Sequence, residues 1–281
     1  MSGAAPPQTG RCPQCAGRGL FYDPHVEAGR FGSLKVCACV EDHCRCGGRP
    51  PYQFWGEDSQ RQWCPCAPVR RRLAEVKRRF QEADIPSRFR WKFRHDFHAT
   101  APDGRTPLQV ARKARRVVDY VGALVDDERD PQRGYLFYGV PGTGKSLLAC
   151  IVLNELILHR NRSGRFLSLS MKYFQQLRDT YSAESERYGR TWQILEELCG
   201  MPYLVLDDFG VQRGTDWEME MLYNLVDGRY SEERFTLVTT NQPLEDLQGL
   251  AHGSRIYSRL LEMCYLVDMT GEDYRQYLMS E

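Results

Sequence analysis

An α/β fold built on a parallel sheet, preceded by a small loop-rich metal-binding domain, is predicted by three features of this 281-residue chain. The string GVPGTGKS, Gly139 to Ser146, stands between a short apolar run and a segment of helical periodicity. Beyond it, strand-type and helix-type segments alternate, the pattern of a parallel sheet covered on both faces. Ahead of it, eight of the eleven cysteines fall between Cys12 and Cys66 in four close pairs.

The composition narrows what surrounds these features. The 38 basic and 37 acidic side chains nearly cancel, so no global field points to nucleic acid or membrane, and any basic surface is local. No apolar run approaches the ~20 residues of a membrane span. The opening MSGAAPPQTGR lacks the charged-then-apolar layout of an export signal and is expected to be a disordered lead-in to a cytoplasmic protein.

Residues 1–68 form the first expected domain. They are rich in Gly, Pro and Cys, with little helical periodicity, and cannot bury enough apolar surface alone. The pairs Cys12/Cys15, Cys37/Cys39, Cys44/Cys46 and Cys64/Cys66 have the spacing of metal ligands in a reducing compartment. Zinc takes four thiolate or imidazole ligands, so eight cysteines make two sites. Sequential grouping of the pairs is the first expectation and a cross-braced arrangement the alternative. His25 or His43 is the alternative ligand for a cysteine of the tighter CxC pairs, though a plain surface histidine is the expectation for both, and an iron–sulfur cluster is the less favoured metal. Cys150, Cys199 and Cys264 lie in apolar segments and are expected as small core residues.

A basic linker, residues 69–106, follows. VRRRLAEVKRRFQEA, Val69 to Ala83, is helical with Leu73, Val76 and Phe80 on its stripe, and Pro86 ends it. SRFRWKFRHDF, Ser87 to Phe97, alternates basic and aromatic residues and is expected as a strand. Either piece is a candidate nucleic-acid contact or hinge, though a solvated helix and a half-buried strand are the plainer expectation. Asp103-Gly104 and Pro107 then open the main domain, 107–281.

Within that domain Leu108 to Asp127 is amphipathic, with Leu108, Ala111, Val117, Val118, Val121, Leu124 and Val125 on one side. Strands are expected at Tyr135–Tyr138, Phe166–Leu169, Tyr203–Asp207, Phe235–Thr239 and Tyr265–Val267. Helices are expected from Ser146 to Leu158 and at Lys172–Tyr181, Thr191–Leu198, Asp216–Tyr230 and Ser254–Cys264.

The chemistry follows from where polar residues interrupt this pattern. Strand, glycine loop and helix are the context of a phosphate-binding loop. Gly139, Gly142, Thr143 and Gly144 would turn backbone N–H groups toward phosphate oxygens, with Pro141 in the turn of the loop and Leu147 just inside the helix. Lys145 would reach the β and γ phosphates and the Ser146 hydroxyl would ligate magnesium. Tyr203-LVLDD-Phe209 places Asp207 on the magnesium side and Asp208 as base or water-orienting group. Thr239, Thr240 and Asn241 end the following strand, where a polar group could touch the γ-phosphate or attacking water. Arg255 and Arg259 share one helix face, as a solvated basic face or as an arginine finger for a neighbouring subunit. Arg275 is a further candidate for phosphate.

With phosphate loop, Asp-Asp strand, TTN, SRL and GEDYR in this order, the region from Leu108 onward resembles the AAA+ ATPases of the DnaC/DnaI helicase-loader and IstB group. The resemblance implies a five-stranded sheet of order 5-1-4-3-2, ATP as nucleotide, and self-association through AAA+ interfaces. It implies Lys145 and Ser146 as Walker A, Asp207 and Asp208 as Walker B, and Asn241 as the sensor on the fourth strand. Arg259 takes the arginine-finger position, with Arg255 beside it, and Arg275 the second sensor. Asp208 stands where many such enzymes carry Glu, which implies slow ATP hydrolysis. Residues 171–190, with Lys172, Arg178, Arg187, Arg190, Tyr181 and Tyr188, correspond to the family's contacts with single-stranded DNA, although an exposed mixed-charge helical pair is an equal expectation. A zinc-binding N-terminal domain resembles the DnaI type and implies a hexameric replicative helicase as partner. The alternatives are an IstB-like transposition helper and a zinc-bearing adaptor with little hydrolysis.

Overall fold

The computed structural model describes residues 12–15, 17–23, 33–97, 111–126, 131–210, 215–249, 251–271 and 273–274. The expected lead-in, His25, Leu108 and Arg275 lie outside them. The chain divides into two compact units, Met1–Gln81 and Glu82–Glu281. Among the described residues no helix is long and apolar enough to cross a membrane.

The first unit is two hairpins and two helices around cysteine. Strands β1 (Leu20–Asp23) and β2 (Ser33–Val36) pair antiparallel, as do β3 (Gln53–Trp55) and β4 (Arg61–Trp63). A one-turn helix α1 (Ala38–Glu41) lies between the hairpins, and α2 (Ala67–Glu82) follows them. Its core is small: Leu20, Val36 and Val40 with Cys64 and Cys66, flanked by Phe54, Val69 and Leu73. A core this size does not hold a loop-rich fold by itself.

The second unit carries a parallel five-stranded sheet. Its strands are β5 (Gly134–Tyr138), β6 (Gly164–Ser168), β7 (Tyr203–Phe209), β8 (Phe235–Thr240) and β9 (Cys264–Asp268), in the order β6-β7-β8-β5-β9. Strands buried on both faces read as continuous apolar runs, and Tyr203–Leu206 and Leu237–Val238 are such runs. Alternation along the strands sends Leu136, Leu204, Leu206 and Val238 to one face. There they join one apolar cluster with α5 (Phe174–Asp179), α6 (Thr191–Gly200), α7 (Asp216–Ser231) and α8 (Gly253–Met263). The other face is covered by α4 (Lys145–Arg160), which is buried nearly all round, with α3 (Ala111–Asp126) beside it.

One buried charge ties the sheet's lower edge together. Arg229 of α7, wholly buried, donates to Thr236 Oγ1 (2.9 Å) and to the carbonyls of Leu198 (2.7 Å), Met201 (2.8 Å) and Phe235 (2.7 Å). It satisfies the open end of α6 and the start of β8 at once. A buried carbonyl stripped of such a partner costs about 1–3 kcal/mol.

Two expectations are corrected here. Ser87–Phe97 is not a strand: turns lead into a short 3-10 helix at Arg94–Asp96. Phe89 and Arg90 N–H both return to the Pro86 carbonyl, and three further backbone groups find partners on α4. Asn154 Nδ2 donates to the carbonyls of Phe89 (2.8 Å) and Lys92 (2.7 Å), and Arg94 N–H donates to Glu155 Oε1 (2.9 Å). Nor does 69–106 form a linker, because α2 lies in the first unit up to Gln81 and the segment from Glu82 belongs to the second. The strand-to-helix passage after β6 is also tighter than expected. Leu169–Tyr173 forms one π turn before α5 begins.

Candidate functional site: phosphate loop and cysteine clusters

The loop 139–144 leaves the carboxyl end of β5, where strand ends and helix α4 meet. Gly139 has φ +140°, and a Cβ there would stand 2.7 Å from the Met269 carbonyl carbon. Gly142, at φ +83°, would drive a Cβ into the Asp273 carboxylate, while Tyr274 N–H donates to its carbonyl at 3.1 Å. Only glycine serves at either place. Thr143 Oγ1 donates to the Val140 carbonyl (3.1 Å) and pins the loop's width, and Pro141 occupies its exposed turn. Gly144, at φ +91°, is the N-cap of α4, and nothing lies within 4 Å of a Cβ placed on it. The helix N-terminus therefore opens onto free space, a ready anion seat.

Lys145, buried, donates through Nζ to the carbonyls of Gly139 (2.9 Å) and Val140 (2.6 Å). Its ammonium is thus held over the loop, where a phosphate would meet it. Leu147 follows, half-buried, in the first turn. Ser146 stands beside Asp207, the buried carboxylate near the end of β7. Burial pushes the Asp207 carboxyl above the usual range and Asp208 adds to it, against the hydroxyls of Thr239 and Ser146 and the positive charge of Arg88. A hard cation between a hydroxyl and a carboxylate would reverse that penalty, and the oxygen pair suits magnesium.

Thr239 is the organising residue beside it. Its hydroxyl donates to Asp207 Oδ1 (2.7 Å) and accepts from Asp208 N–H (3.1 Å). Asp208 has φ +59°, and the β7–β8 register shifts between Leu206 and Phe209, so the strand bulges where its two acids stand. A left-handed aspartate at a bulge is strained backbone held by its surroundings, here by the Thr239 hydroxyl on its N–H. Asn241, the expected sensor, is exposed just past the end of β8. Of the three polar residues TTN, it is Thr239 that touches the acids.

The arginines separate as well. Arg259 on α8 pairs with Asp227 on α7 and lies over the rings of Tyr223 (4.8 Å) and Tyr230 (5.5 Å). It is engaged within its own chain. Arg255, one turn earlier, is exposed and meets only the far edge of Tyr223, 6.0 Å from the ring centre. In the 171–190 region Lys172 pairs with Asp84 (3.4 Å), Arg178 with Glu218 (3.1 Å) and Arg187 with Asp179 (3.8 Å). Arg190 is exposed, and Tyr181, Tyr188 and Trp192 present largely exposed rings. Trp192 was missed from sequence because it falls on the expected helix 191–198, where an aromatic reads as core.

The cysteines form two groups of four, Cys12/Cys15/Cys37/Cys39 and Cys44/Cys46/Cys64/Cys66, the sulfurs of each lying within 4.8 Å of one another. This is the sequential grouping. His43 is exposed and belongs to neither. Close Sγ–Sγ separations include 3.5 Å (Cys44–Cys66), 3.6 Å (Cys12–Cys37), 3.7 Å (Cys15–Cys39) and 4.0 Å (Cys64–Cys44). Four thiolates about 2.3 Å from one tetrahedral zinc stand about 3.8 Å apart. The protonation pattern fits too. The Cys15 backbone amide lowers the Cys12 thiol to about 7. At Cys64 burial is outweighed by backbone amides of Cys66 and Arg45, and the thiol falls to about 6. Burial and neighbouring sulfurs push Cys39 and Cys66 up. Each group can hold some of its negative charge without a cation and all of it only with one.

A family profile described as IstB-like ATP binding protein matches residues 125–281. The replicative helicase loader DnaC of Escherichia coli (strain K12) is 34% identical over 128 residues, 45% of this chain and 49% of that protein. The chain thus spans about half the length of the curated relatives it matches. Among solved structures, the crystal structure of DnaI superposes with a TM-score of 0.54 at 20% identity, over 70% of this chain and all of that one. The replication initiator DnaA bound to AMPPCP and single-stranded DNA superposes at 0.50 and 16% identity, over 66% of this chain and 50% of that one. At such identities the likeness is one of fold, the α/β AAA+ fold.

Proposed function

This chain belongs to the family of IstB-like ATP binding proteins, and from that premise we propose that it is an ATP-driven loader of a replicative helicase. The observation that carries the nucleotide half is the joint geometry of loop and acids. A glycine loop caps an open helix N-terminus, and Ser146 stands beside Asp207, the buried carboxylate of β7. Gly139, Pro141, Gly142, Thr143, Gly144 and Leu147 shape the phosphate seat, and Lys145 neutralises the outer phosphates. Ser146 and Asp207 would hold magnesium, which when bound neutralises charge developing on the β and γ oxygens. Asp208, at the bulge, orients the attacking water, and Thr239 ties the two residues together through the Asp207 carboxylate and the Asp208 N–H. Asn241 or Arg275 would report the state of the γ-phosphate.

The cysteine module, with two zinc ions, is the proposed surface for the hexameric helicase, and residues 171–192 the proposed single-stranded DNA contact of the ATPase unit. The module sets this reading apart from a transposition helper. A pull-down with the full chain tests it: the replicative helicase should be recovered, and Cys12→Ser should lose it while still binding ATP. Recovery of a transposase in place of the helicase would overturn the loader.

Self-association would complete the site across subunits. Because Arg259 is engaged by Asp227 and two tyrosines, Arg255 is the freer finger. Chains carrying Arg255→Ala should bind ATP and hydrolyse it poorly, and mixing them with Lys145→Ala chains should restore part of the turnover through composite sites. No recovery in a mixture that still oligomerises, with recovery from Arg259→Ala instead, returns the role to Arg259.

A further inference from the structure

The hairpin β3–β4 has an outer face that neither the metal clusters nor the ATPase site uses. Gln53 lies opposite Trp63, and Trp55 opposite Arg61, so these four side chains share one face. Phe54, on the other face, packs against the small core. Trp55 and Trp63 are 67% and 52% exposed, although tryptophan is the side chain with most apolar surface to hide. Each carries a guanidinium: Arg61 lies over the Trp55 ring at 5.3 Å, and Arg71, from the first turns of α2, over the Trp63 ring at 4.3 Å. Both arginines are exposed.

The unit that carries this face is net positive. Residues 1–81 hold thirteen Lys and Arg against seven Asp and Glu, although the whole chain is balanced at +1. Two acids, Glu57 and Asp58, stand at the hairpin turn, and Asp58 accepts from Gln60 N–H (3.1 Å) and Gln62 Nε2 (3.3 Å). Apolar rings standing in water, each beside a cation, on a positively charged module, are poorly suited to an apolar protein surface. They suit a polyanion whose units have a flat face. Diagonal residues on a hairpin face lie about 7–8 Å apart, close to the reach between successive unstacked bases.

We propose that Trp55 and Trp63, with Arg61 and Arg71, form a binding platform for single-stranded DNA on the metal module. Bases stack on the two indoles, and the guanidinium groups take the flanking phosphates. DNA rather than RNA rests on the loader reading above; the stacking platform itself does not.

The test is binding of a fluorescent oligo-dT of about 15 nucleotides to the full chain without nucleotide. Trp55→Ala/Trp63→Ala should weaken it on the order of 100-fold, about tenfold per lost base stack. Trp55→Phe/Trp63→Phe should stay within several-fold while losing most of the tryptophan quenching. This pair covers the case in which the alanine variant fails to fold. Arg61→Gln/Arg71→Gln should flatten the slope of log K against log salt by about 1.4, at about 0.7 per phosphate. Unchanged oligo affinity in the folded alanine variant overturns the platform, and loss of helicase recovery alongside it makes the face a protein dock. Preference for oligo-rU overturns the assignment to DNA. If wild type recovers no helicase yet the alanine variant loses the oligonucleotide, the loader reading fails and the platform stands.

Discussion

Lys145→Ala is expected to lose ATP binding and with it all turnover, whereas Asp208→Asn keeps ATP and loses turnover by about 10²–10³-fold. The two variants separate because the residues act on different quantities. Lys145 is buried at the loop, with its Nζ held by the Gly139 and Val140 carbonyls. Its loss removes the positive charge from a seat whose other groups are neutral amides. Asp208 stands at a bulge with left-handed backbone, and the asparagine keeps the size and the Thr239 hydroxyl contact to its N–H. What it removes is the charge that orients and polarises water. Nucleotide affinity by fluorescence and phosphate release in steady state check both. Turnover in Asp208→Asn equal to wild type would move the water-orienting role to another group, with Thr239 held to Asp207 the next to vary.

The second large effect is expected from the metal. Purified protein should carry about two zinc ions per chain, four thiolates each. Stripping them should unfold the module while the ATPase unit keeps its nucleotide. A structural zinc site supplies about 10–16 kcal/mol at neutral pH, far more than the apolar cluster of Leu20, Val36 and Val40 can replace. Cys12→Ser and Cys64→Ser should each drop one zinc, because the two ligands fall in separate groups. Elemental analysis reads the count, and the emission of the two module tryptophans reads the unfolding. Iron with a visible chromophore, or a chelated module that stays folded, would sink the zinc assignment.

The parts of this molecule legible in sequence are those whose chemistry is local. Four cysteine pairs announce two metal sites by their spacing, and the structure selects the sequential grouping over the cross-braced one. The loop from Gly139 to Ser146 announces itself because strand, glycines and helix must be adjacent. Asp207 was legible at the end of four buried residues. What sequence did not give was set by partners far along the chain. Thr239, Thr240 and Asn241 look alike as turn chemistry, and only the sheet shows which hydroxyl reaches Asp207. Arg259 reads as a basic helix face until Asp227, Tyr223 and Tyr230 on another helix engage it. SRFRWKFR carries the period of a strand, but Asn154 and Glu155, more than sixty residues away, claim its backbone first.

That last arrangement bears on how such a chain can be cut and recombined. Judged by composition alone, a gene fusion or an excised ATPase would begin at residue 107. Asn154 and Glu155 are themselves fully or nearly fully buried on the helix that starts at the phosphate loop. A piece starting there leaves the Asn154 amide without the two carbonyls it serves. It also takes the Arg94 N–H from a carboxylate whose charge is held, against its burial, by His159 and Arg94. The stretch from Glu82 to Phe97 is thus inherited with the ATPase, and a functional graft of a different N-terminal module has its seam upstream of it, near Gln81.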